Sequence, residues 1–288
     1  MTAASNGGYY LPEPSHWPLV GSIGLFLTLG GFAHVLHGGS SIAMLVGAAV
    51  LLVMIFGWFG TVIRESESGK YNDQVDMSFR WGMGWFIFSE VMFFAAFFGA
   101  LFYARIFSVP WLGGASNNAF TNELLWPAFQ AIWPTNGPDE LGGAFQTMGP
   151  WGIPAINTLI LLSSGVTVTI AHWALKKNNR GQLVLWLAAT VALGALFLYL
   201  QAVEYVHAYH ELNLTLSTGI YGTTFFMLTG FHGLHVTLGA TMLLVILFRS
   251  IKGHFTPEHH FAFEAVAWYW HFVDVVWLGL FVFVYWLI

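Results

Sequence analysis

The chain has 288 residues, of which 57% are hydrophobic and 8% are charged, and its formal net charge is −5. Its mean hydropathy is +0.66, and soluble domains carry about 25% charged residues, so the composition excludes a soluble domain and indicates a polytopic helical membrane protein. The acidic excess lies in the loops and indicates no nucleic-acid partner, while the lack of cysteine excludes disulfides, thiolate metal sites and iron–sulfur clusters.

Seven long apolar segments each reach the length of about 20 residues that a helix needs to cross a bilayer core. They cover 17–36, 41–63, 81–104, 151–175, 182–203, 219–248 and 265–288. The predicted fold class is therefore an all-α membrane protein with seven transmembrane helices.

The basic residues predict the orientation of these helices. Eight of the nine Lys and Arg residues lie in alternate loops, and Arg105 alone lies on the opposite side. Those eight are Arg64, Lys70, Arg80, Lys176, Lys177, Arg180, Arg249 and Lys252. Since positive charge is retained on the inner side of a membrane, the N-terminus is predicted inside and the C-terminus outside.

The loops divide the chain further. Residues 1–16 form a predicted inner-side segment without Lys or Arg, and they match neither a secretory signal nor an Arg-rich transit peptide. This favours a bacterial inner-membrane protein, or an organelle-encoded one, that is inserted through its own helices, and the bacterial inner membrane is preferred over the mitochondrial one. Helices one and two follow at 17–63, an inner loop at 64–80 and a five-helix bundle at 81–288. Its outer loop, 106–150, is rich in Gly, Pro and Trp and is predicted to cap the helix ends or to provide a docking surface.

The third span contains a single charged residue, Glu90, in the 24 residues between Arg80 and Arg105. At 1.5 Å per residue, Glu90 lies about 15 Å from Arg80 and close to the bilayer midplane. A carboxyl group at that depth costs a few kcal/mol, and it is by default a hypothesis about function.

Other polar residues are predicted at similar depth. Asp274 lies about ten residues into the seventh span, three residues after His271, and His232 and His235 lie in the middle of the sixth. Together with Glu90, these groups are candidates for proton handling. A static network that holds the helices together is the alternative, and both interpretations stay open.

The histidines also raise the question of a metal. Glu204-x-x-His207 matches one element of a di-iron bundle, but such sites need a second element, and the sequence has none. Hydrogen bonds between helices explain the histidines more simply, so no metal is predicted. The chain also lacks a nucleophile motif and a phosphate-binding loop, and no catalytic residue is predicted.

Four long segments carry a family resemblance. The stretch GTTFFMLTGFHGLHV at 222–236 resembles subunit III of the haem–copper cytochrome c oxidase family. The same family is indicated by HFTPEHHFAFEAVAWYWHFVDVVW at 254–277, by FSEVMFF at 88–94 and by NTLILLSSG at 157–165. The resemblance extends over nearly the whole chain, although the outer loop looks longer than in mitochondrial members.

This resemblance implies a fold, partners and a function. The seven helices would form two bundles, the first two helices splayed from the other five with phospholipid in the cleft. The chain would be a non-redox core subunit of a proton-pumping oxidase that passes electrons from cytochrome c to oxygen. It would stabilise the catalytic subunit I and support proton uptake, with haem and copper bound by subunits I and II and structural phospholipids by this chain.

The resemblance also implies roles for individual residues. The buried carboxylate of the family's third helix corresponds to Glu90, and the lipid-headgroup contacts correspond to Arg64, Glu65, Arg249 and Lys252. Two alternatives remain: the matching subunit of a quinol oxidase, which commonly lacks the first two helices, and a stand-alone proton-coupled transporter that uses Glu90 and Asp274.

Overall fold

The computed structural model describes residues 10–288, and within that range the protein is helical and has no strands. Seven helices in this range are long and apolar enough to cross a membrane. They are α1 Trp17–Leu36, α2 Ile42–Glu67, α3 Asp73–Tyr103, α4 Ile153–Lys176, α5 Arg180–His210, α6 Gly219–Lys252 and α7 Phe261–Leu280. The predicted fold class is confirmed, while the first nine residues of the predicted segment 1–16 lie outside the described residues.

Two helices continue beyond these bounds through wider turns. A π-helical turn at Ala104–Ser108 and a short helix at Val109–Leu112 extend α3, and a π-helical turn at Phe281–Trp286 extends α7. The 40-residue span Asp73–Leu112 therefore runs past the predicted end of the third segment.

Several helices are longer than hydropathy predicts. α2 ends at Glu67 and α3 begins at Asp73, so most of the predicted inner loop 64–80 is helical. The side chain of Asn72 accepts a hydrogen bond from the backbone of Val75 and caps α3. Hydropathy places the end of a helix at the first charged residues. The backbone hydrogen bonds of the helix continue into the polar region until a helix-breaking residue such as Gly or Pro is reached.

The protein divides into two compact units at Trp81–Gly82, inside α3. The first unit contains α1, α2 and the start of α3. Within it, the indole of Trp17 donates a hydrogen bond to Thr61, at 3.2 Å. α1 and α2 approach each other closely at Gly47, where a Cβ atom would collide with the backbone of Thr28.

The second unit contains the remainder of α3 and α4 to α7, and its core is centred on Trp270. This indole is fully buried, and it donates a hydrogen bond to Ser164 on α4 at 2.8 Å. A Cβ atom at Gly194 on α5 or at Gly239 on α6 would lie 2.8 Å from the ring. Trp270 of α7 therefore contacts α4, α5 and α6, and the two glycines provide the space that the ring occupies.

The long connection between α3 and α4 is held against the connection between α5 and α6. The side-chain amide of Asn213 donates hydrogen bonds to the carbonyls of Gly142 and Ala144, each at 2.9 Å. The backbone N–H of Gln146 donates to the carbonyl of Leu212, also at 2.9 Å. These bonds join the two loops, and the carbonyl of Thr135 also accepts a hydrogen bond from the backbone N–H of Tyr221, in the first turn of α6, at 3.2 Å. The long loop therefore caps one end of the second unit.

Candidate functional site

The structure pairs two residues that the sequence singles out, Glu90 on α3 and His235 on α6. The Glu90 Oε2 atom lies 2.7 Å from the His235 Nε2 atom, although the residues are 145 positions apart. The side chain of Glu90 is 21% exposed and that of His235 is 9% exposed. A carboxyl group in the middle of an apolar helix thus has a direct hydrogen-bond partner on a neighbouring helix.

The hydrogen bonds of His235 determine how many protons this pair holds. The Nδ1 atom lies 2.6 Å from the carbonyl oxygen of Phe231, and because a carbonyl only accepts, Nδ1 carries a hydrogen. The 2.7 Å contact with Glu90 then requires one more proton, on the carboxyl group or on Nε2. Either location leaves the pair as a whole without net charge, which suits its apolar surroundings.

Aromatic rings surround this pair. The His235 ring lies 4.9 Å from Phe94, 5.6 Å from Phe93 and 6.4 Å from Tyr269, measured between centroids. These rings keep water away from the imidazole and lower the local dielectric constant, which strengthens a satisfied hydrogen bond and penalises an unsatisfied one.

His232 has a different neighbour from His235, although both are on α6. Its ring is 1% exposed, and its Nε2 atom lies 3.2 Å from the backbone carbonyl of Val273 on α7. Trp277 and Phe197 pack on the ring at 5.1 and 5.7 Å, and the Nδ1 atom has no hydrogen-bond partner. The geometry makes His232 a link between α6 and α7.

The second predicted carboxylate, Asp274, is buried on α7 but lacks a close partner. The Nδ1 atom of His271 lies 3.8 Å from Asp274 Oδ2, which is beyond hydrogen-bond distance. His271 is 46% exposed and its Nε2 atom lies 3.2 Å from the hydroxyl of Thr169 on α4. A Cβ atom at Gly165 on α4 would collide with the carboxylate, so the absence of a side chain there makes room for Asp274.

The sequence did not identify the most deeply buried carboxyl group, Glu204, as a site residue. Glu204 is 0% exposed. Its Oε1 atom accepts hydrogen bonds from the Tyr285 hydroxyl at 2.6 Å and from the side-chain amide of Gln201 at 3.4 Å. The fifth segment was predicted to end at residue 203, but α5 continues to His210 and carries Glu204 into the bundle. No Gly or Pro directly follows the apolar run that ends at residue 203. This signal would have extended the predicted helix to include Glu204.

These polar groups form separate clusters. Within residues 10–288, no hydrogen bond connects the Glu90–His235 pair with Asp274 or with Glu204. His207, which the sequence coupled to Glu204, lies 3.0 Å from Glu211 instead. A continuous relay of hydrogen-bonded side chains therefore does not connect the predicted proton-handling residues in this part of the chain.

The basic residues proposed for lipid contacts have distinct surroundings. In the first unit, Arg64 donates to Thr61 at 3.2 Å, and Glu65 accepts from the hydroxyl of Tyr71 at 2.9 Å. Burial, together with this hydrogen bond, raises the pKa of Tyr71, which lies between α2 and α3, so its hydroxyl remains a donor at neutral pH.

The two basic residues at the end of α6 differ from each other. Arg249 is only 7% exposed, and its guanidinium lies 4.6 Å from the ring centre of Phe255. Lys252 is exposed. Arg180 at the start of α5 donates a hydrogen bond to the carbonyl of Ser250 at 3.1 Å and caps this end of α6. Only Lys252 of this pair presents its charge on the surface of the chain.

The fold and these sites define a multi-pass membrane protein that places a few carboxyl groups between its helices. The family model described as Cytochrome c oxidase subunit III matches residues 7–288. Three relatives named cytochrome c oxidase subunit 3 come from Raphicerus melanotis, Dugong dugon and Gadus morhua. Each is 42% identical over 279 residues, which are 96% of this chain and 96% of the relative.

The chain belongs to the cytochrome c oxidase subunit III family. The resemblance in the four sequence segments is thereby confirmed, and the quinol-oxidase and transporter alternatives are not favoured. As a member of this family, the chain is a subunit of an oxidoreductase complex and associates with the other oxidase subunits.

Proposed function

We propose that this chain is a non-redox core subunit that stabilises the catalytic subunit I and supports proton uptake by a proton-pumping oxidase. In this proposal the electrons pass from cytochrome c to haem and copper held by subunits I and II. The observation that carries the proposal is the Glu90–His235 pair, in which the carboxyl group and the imidazole Nε2 atom share one proton in an otherwise apolar helix contact. Because this pair is not connected with the other buried carboxyl groups, it supports a local role better than a proton path through the chain.

The surface of α3 near Glu90 supports a contact with subunit I or with phospholipid. Trp85, Phe88 and Met92 are 66%, 54% and 54% exposed in the isolated chain. In a membrane complex such side chains are covered by lipid tails or by a neighbouring subunit. Glu90 itself is partly exposed, so the partner that covers this surface also covers the edge of the pair.

The proposed orientation places the N-terminus inside and the C-terminus outside, because eight of nine basic residues lie in alternate loops. The membrane would be a respiratory one. The N-terminal composition predicts a bacterial inner membrane, whereas the relatives compared above are animal proteins and favour the mitochondrial inner membrane. Fractionation of the source cells, followed by detection of this chain, distinguishes the two compartments.

The central experiment compares turnover of the oxidase with and without this subunit, over time and over a range of pH. We expect the oxidase without the chain to start at a comparable rate and then to lose activity during turnover, most strongly at high pH, where protons are scarce. Equal time courses with and without the chain would contradict the supporting role.

Glu90→Gln separates proton handling from structure. A glutamine amide donates a hydrogen bond to the Nε2 atom of a neutral His235, as the protonated acid does, so we expect normal assembly and an unchanged haem spectrum. A lower rate in this assembled variant would then report on proton handling. If Glu90→Gln prevents assembly, the residue is a structural link and its proposed role in proton uptake is wrong.

Lipid binding is proposed for Arg64, Glu65 and Lys252, with Arg249 in a supporting position because its guanidinium is buried. A cation near lipid phosphates contributes about 1 kcal/mol of attraction. We expect Lys252→Ala to reduce the anionic phospholipid that mass spectrometry detects in the purified complex, whereas Lys252→Arg retains it. Equal lipid content in the two variants would remove Lys252 from this role.

A further inference from the structure

Two histidines and a glutamate converge where α4 ends and α7 begins. His172 lies near the end of α4, His260 directly precedes α7 and Glu264 lies in the first turn of α7. The Glu264 Oε1 atom is 3.5 Å from the His172 Nε2 atom and 3.3 Å from the His260 Nε2 atom. One ligand atom from each of the three residues lies within 4.8 Å of the other two.

We propose that His172, His260 and Glu264 bind a divalent transition-metal ion of the Zn²⁺ type. In a tetrahedral zinc site with bonds of about 2.0–2.1 Å, neighbouring ligand atoms are about 3.3 Å apart. The two contacts of Glu264 Oε1 already have this separation.

The hydrogen bonding of the imidazoles supports the same interpretation. The Nε2 atoms of His172 and His260 are both buried, and their contacts with Glu264 lack hydrogen-bond geometry, so neither atom has a hydrogen-bond partner. Buried polar nitrogens are otherwise nearly always hydrogen-bonded, since leaving one unpaired costs free energy. Two such nitrogens directed at one carboxylate oxygen are arranged as metal ligands.

The surroundings orient the two rings. The Nδ1 atom of His260 lies 3.1 Å from the carbonyl oxygen of Thr256, so Nδ1 carries the hydrogen and the lone pair of Nε2 is available to a metal. The His172 ring packs against His260 at 5.3 Å and against Phe263 at 5.4 Å between centroids. A backbone carbonyl that fixes the tautomer of a ligating histidine is the usual support for a metal site.

The ligand set determines the class of ion. Imidazole nitrogens suit zinc, copper, nickel and iron, whereas calcium and magnesium prefer sites made of oxygen atoms. Two histidines and one glutamate bind zinc in sites that keep a water molecule in the fourth position, and His172, 20% exposed, leaves the cluster accessible from one side. Such an ion would fasten the end of α4 to the start of α7 and is separate from the haem and copper proposed for the partner subunits.

The test uses the purified, detergent-solubilised oxidase complex that contains this chain, treated with a chelator and then titrated with zinc sulfate. Calorimetry and zinc-edge X-ray absorption are measured for the wild type, His172→Gln and Glu264→Gln. We expect one zinc site with imidazole ligands that each variant weakens at least tenfold. The control His207→Gln changes a histidine that contacts Glu211 elsewhere, and it should leave this site intact.

Zinc binding that is unchanged in both variants would overturn the proposal. If the variants fail to assemble, the wild-type complex decides the question through anomalous diffraction at the zinc edge. A peak between His172, His260 and Glu264 supports the site, whereas zinc peaks that occur only at other positions, or none at all, overturn it.

Discussion

Glu90 and Asp274 have equivalent positions in the sequence but different surroundings in the structure. Each carboxyl group lies about ten residues into an apolar span. Glu90 hydrogen-bonds at 2.7 Å to His235 on another helix. Asp274 has its nearest imidazole one turn away on the same helix, at 3.8 Å, and that imidazole belongs to His271, which is nearly half exposed.

The difference shows that a partner on another helix satisfies a buried carboxyl group better than a partner on the same helix. Side chains three residues apart lie on one helix face, but both are directed along the helix, so their ends do not meet head-on. Residues on facing helices can approach directly. The energetic consequence is that the Glu90–His235 contact should stabilise the fold considerably more than the His271–Asp274 contact.

The largest expected effect follows from removing the carboxyl group of Glu90 from its pair with His235. Glu90→Ala leaves the Nε2 atom of His235 without a partner among aromatic rings, and a buried unsatisfied group costs about 1–3 kcal/mol. We expect a lower thermal denaturation temperature of the assembled complex, measured as the loss of this subunit on heating. Glu90→Gln is the matched control and should remain near the wild type. Equal denaturation temperatures for the Ala and Gln variants would show that the hydrogen bond to His235 does not stabilise the fold.

A smaller effect is expected where Asp274 meets α4. Gly165→Ala places a methyl group against the carboxylate, which must move, and overpacking of this kind costs about 1–3 kcal/mol, part of which the higher helix propensity of alanine offsets. Gly233→Ala is the control, because a Cβ atom there meets nothing within 4 Å. Thermal denaturation of the complex should show Gly165→Ala as the less stable of the two. If the order is reversed, Asp274 is not confined by α4.

The smallest effect is expected for the pair of His271 and Asp274, whose side chains are farther apart. His271→Asn removes a half-exposed imidazole whose Nδ1 atom is 3.8 Å from the Asp274 carboxylate, which is beyond hydrogen-bond distance, so little stabilisation is lost with it. We expect the denaturation temperature to stay close to that of the wild type. A decrease as large as that of Glu90→Ala would mean that the two pairs are energetically equivalent, and the contrast between them would be lost.

The sequence by itself determined the class of the protein and the number of its spans. Hydropathy is a local property, and a run of about 20 apolar residues can satisfy its backbone in a bilayer only as a helix. The same reasoning identified Glu90 and Asp274, because a charge in such a run is recognisable without a partner. It misplaced helix ends such as that of α5, since hydrogen bonding continues where hydropathy declines.

Only the tertiary structure decided which polar groups meet. The partner of Glu90 is 145 residues away, and nothing in the local pattern selects His235 over His232. Helix packing also buried Arg249 beside Phe255, whereas Lys252, three residues later, remains exposed. The physical reason is that burial and hydrogen-bond geometry depend on the rotation of each helix against its neighbours, and that rotation is set by contacts between residues far apart in the chain.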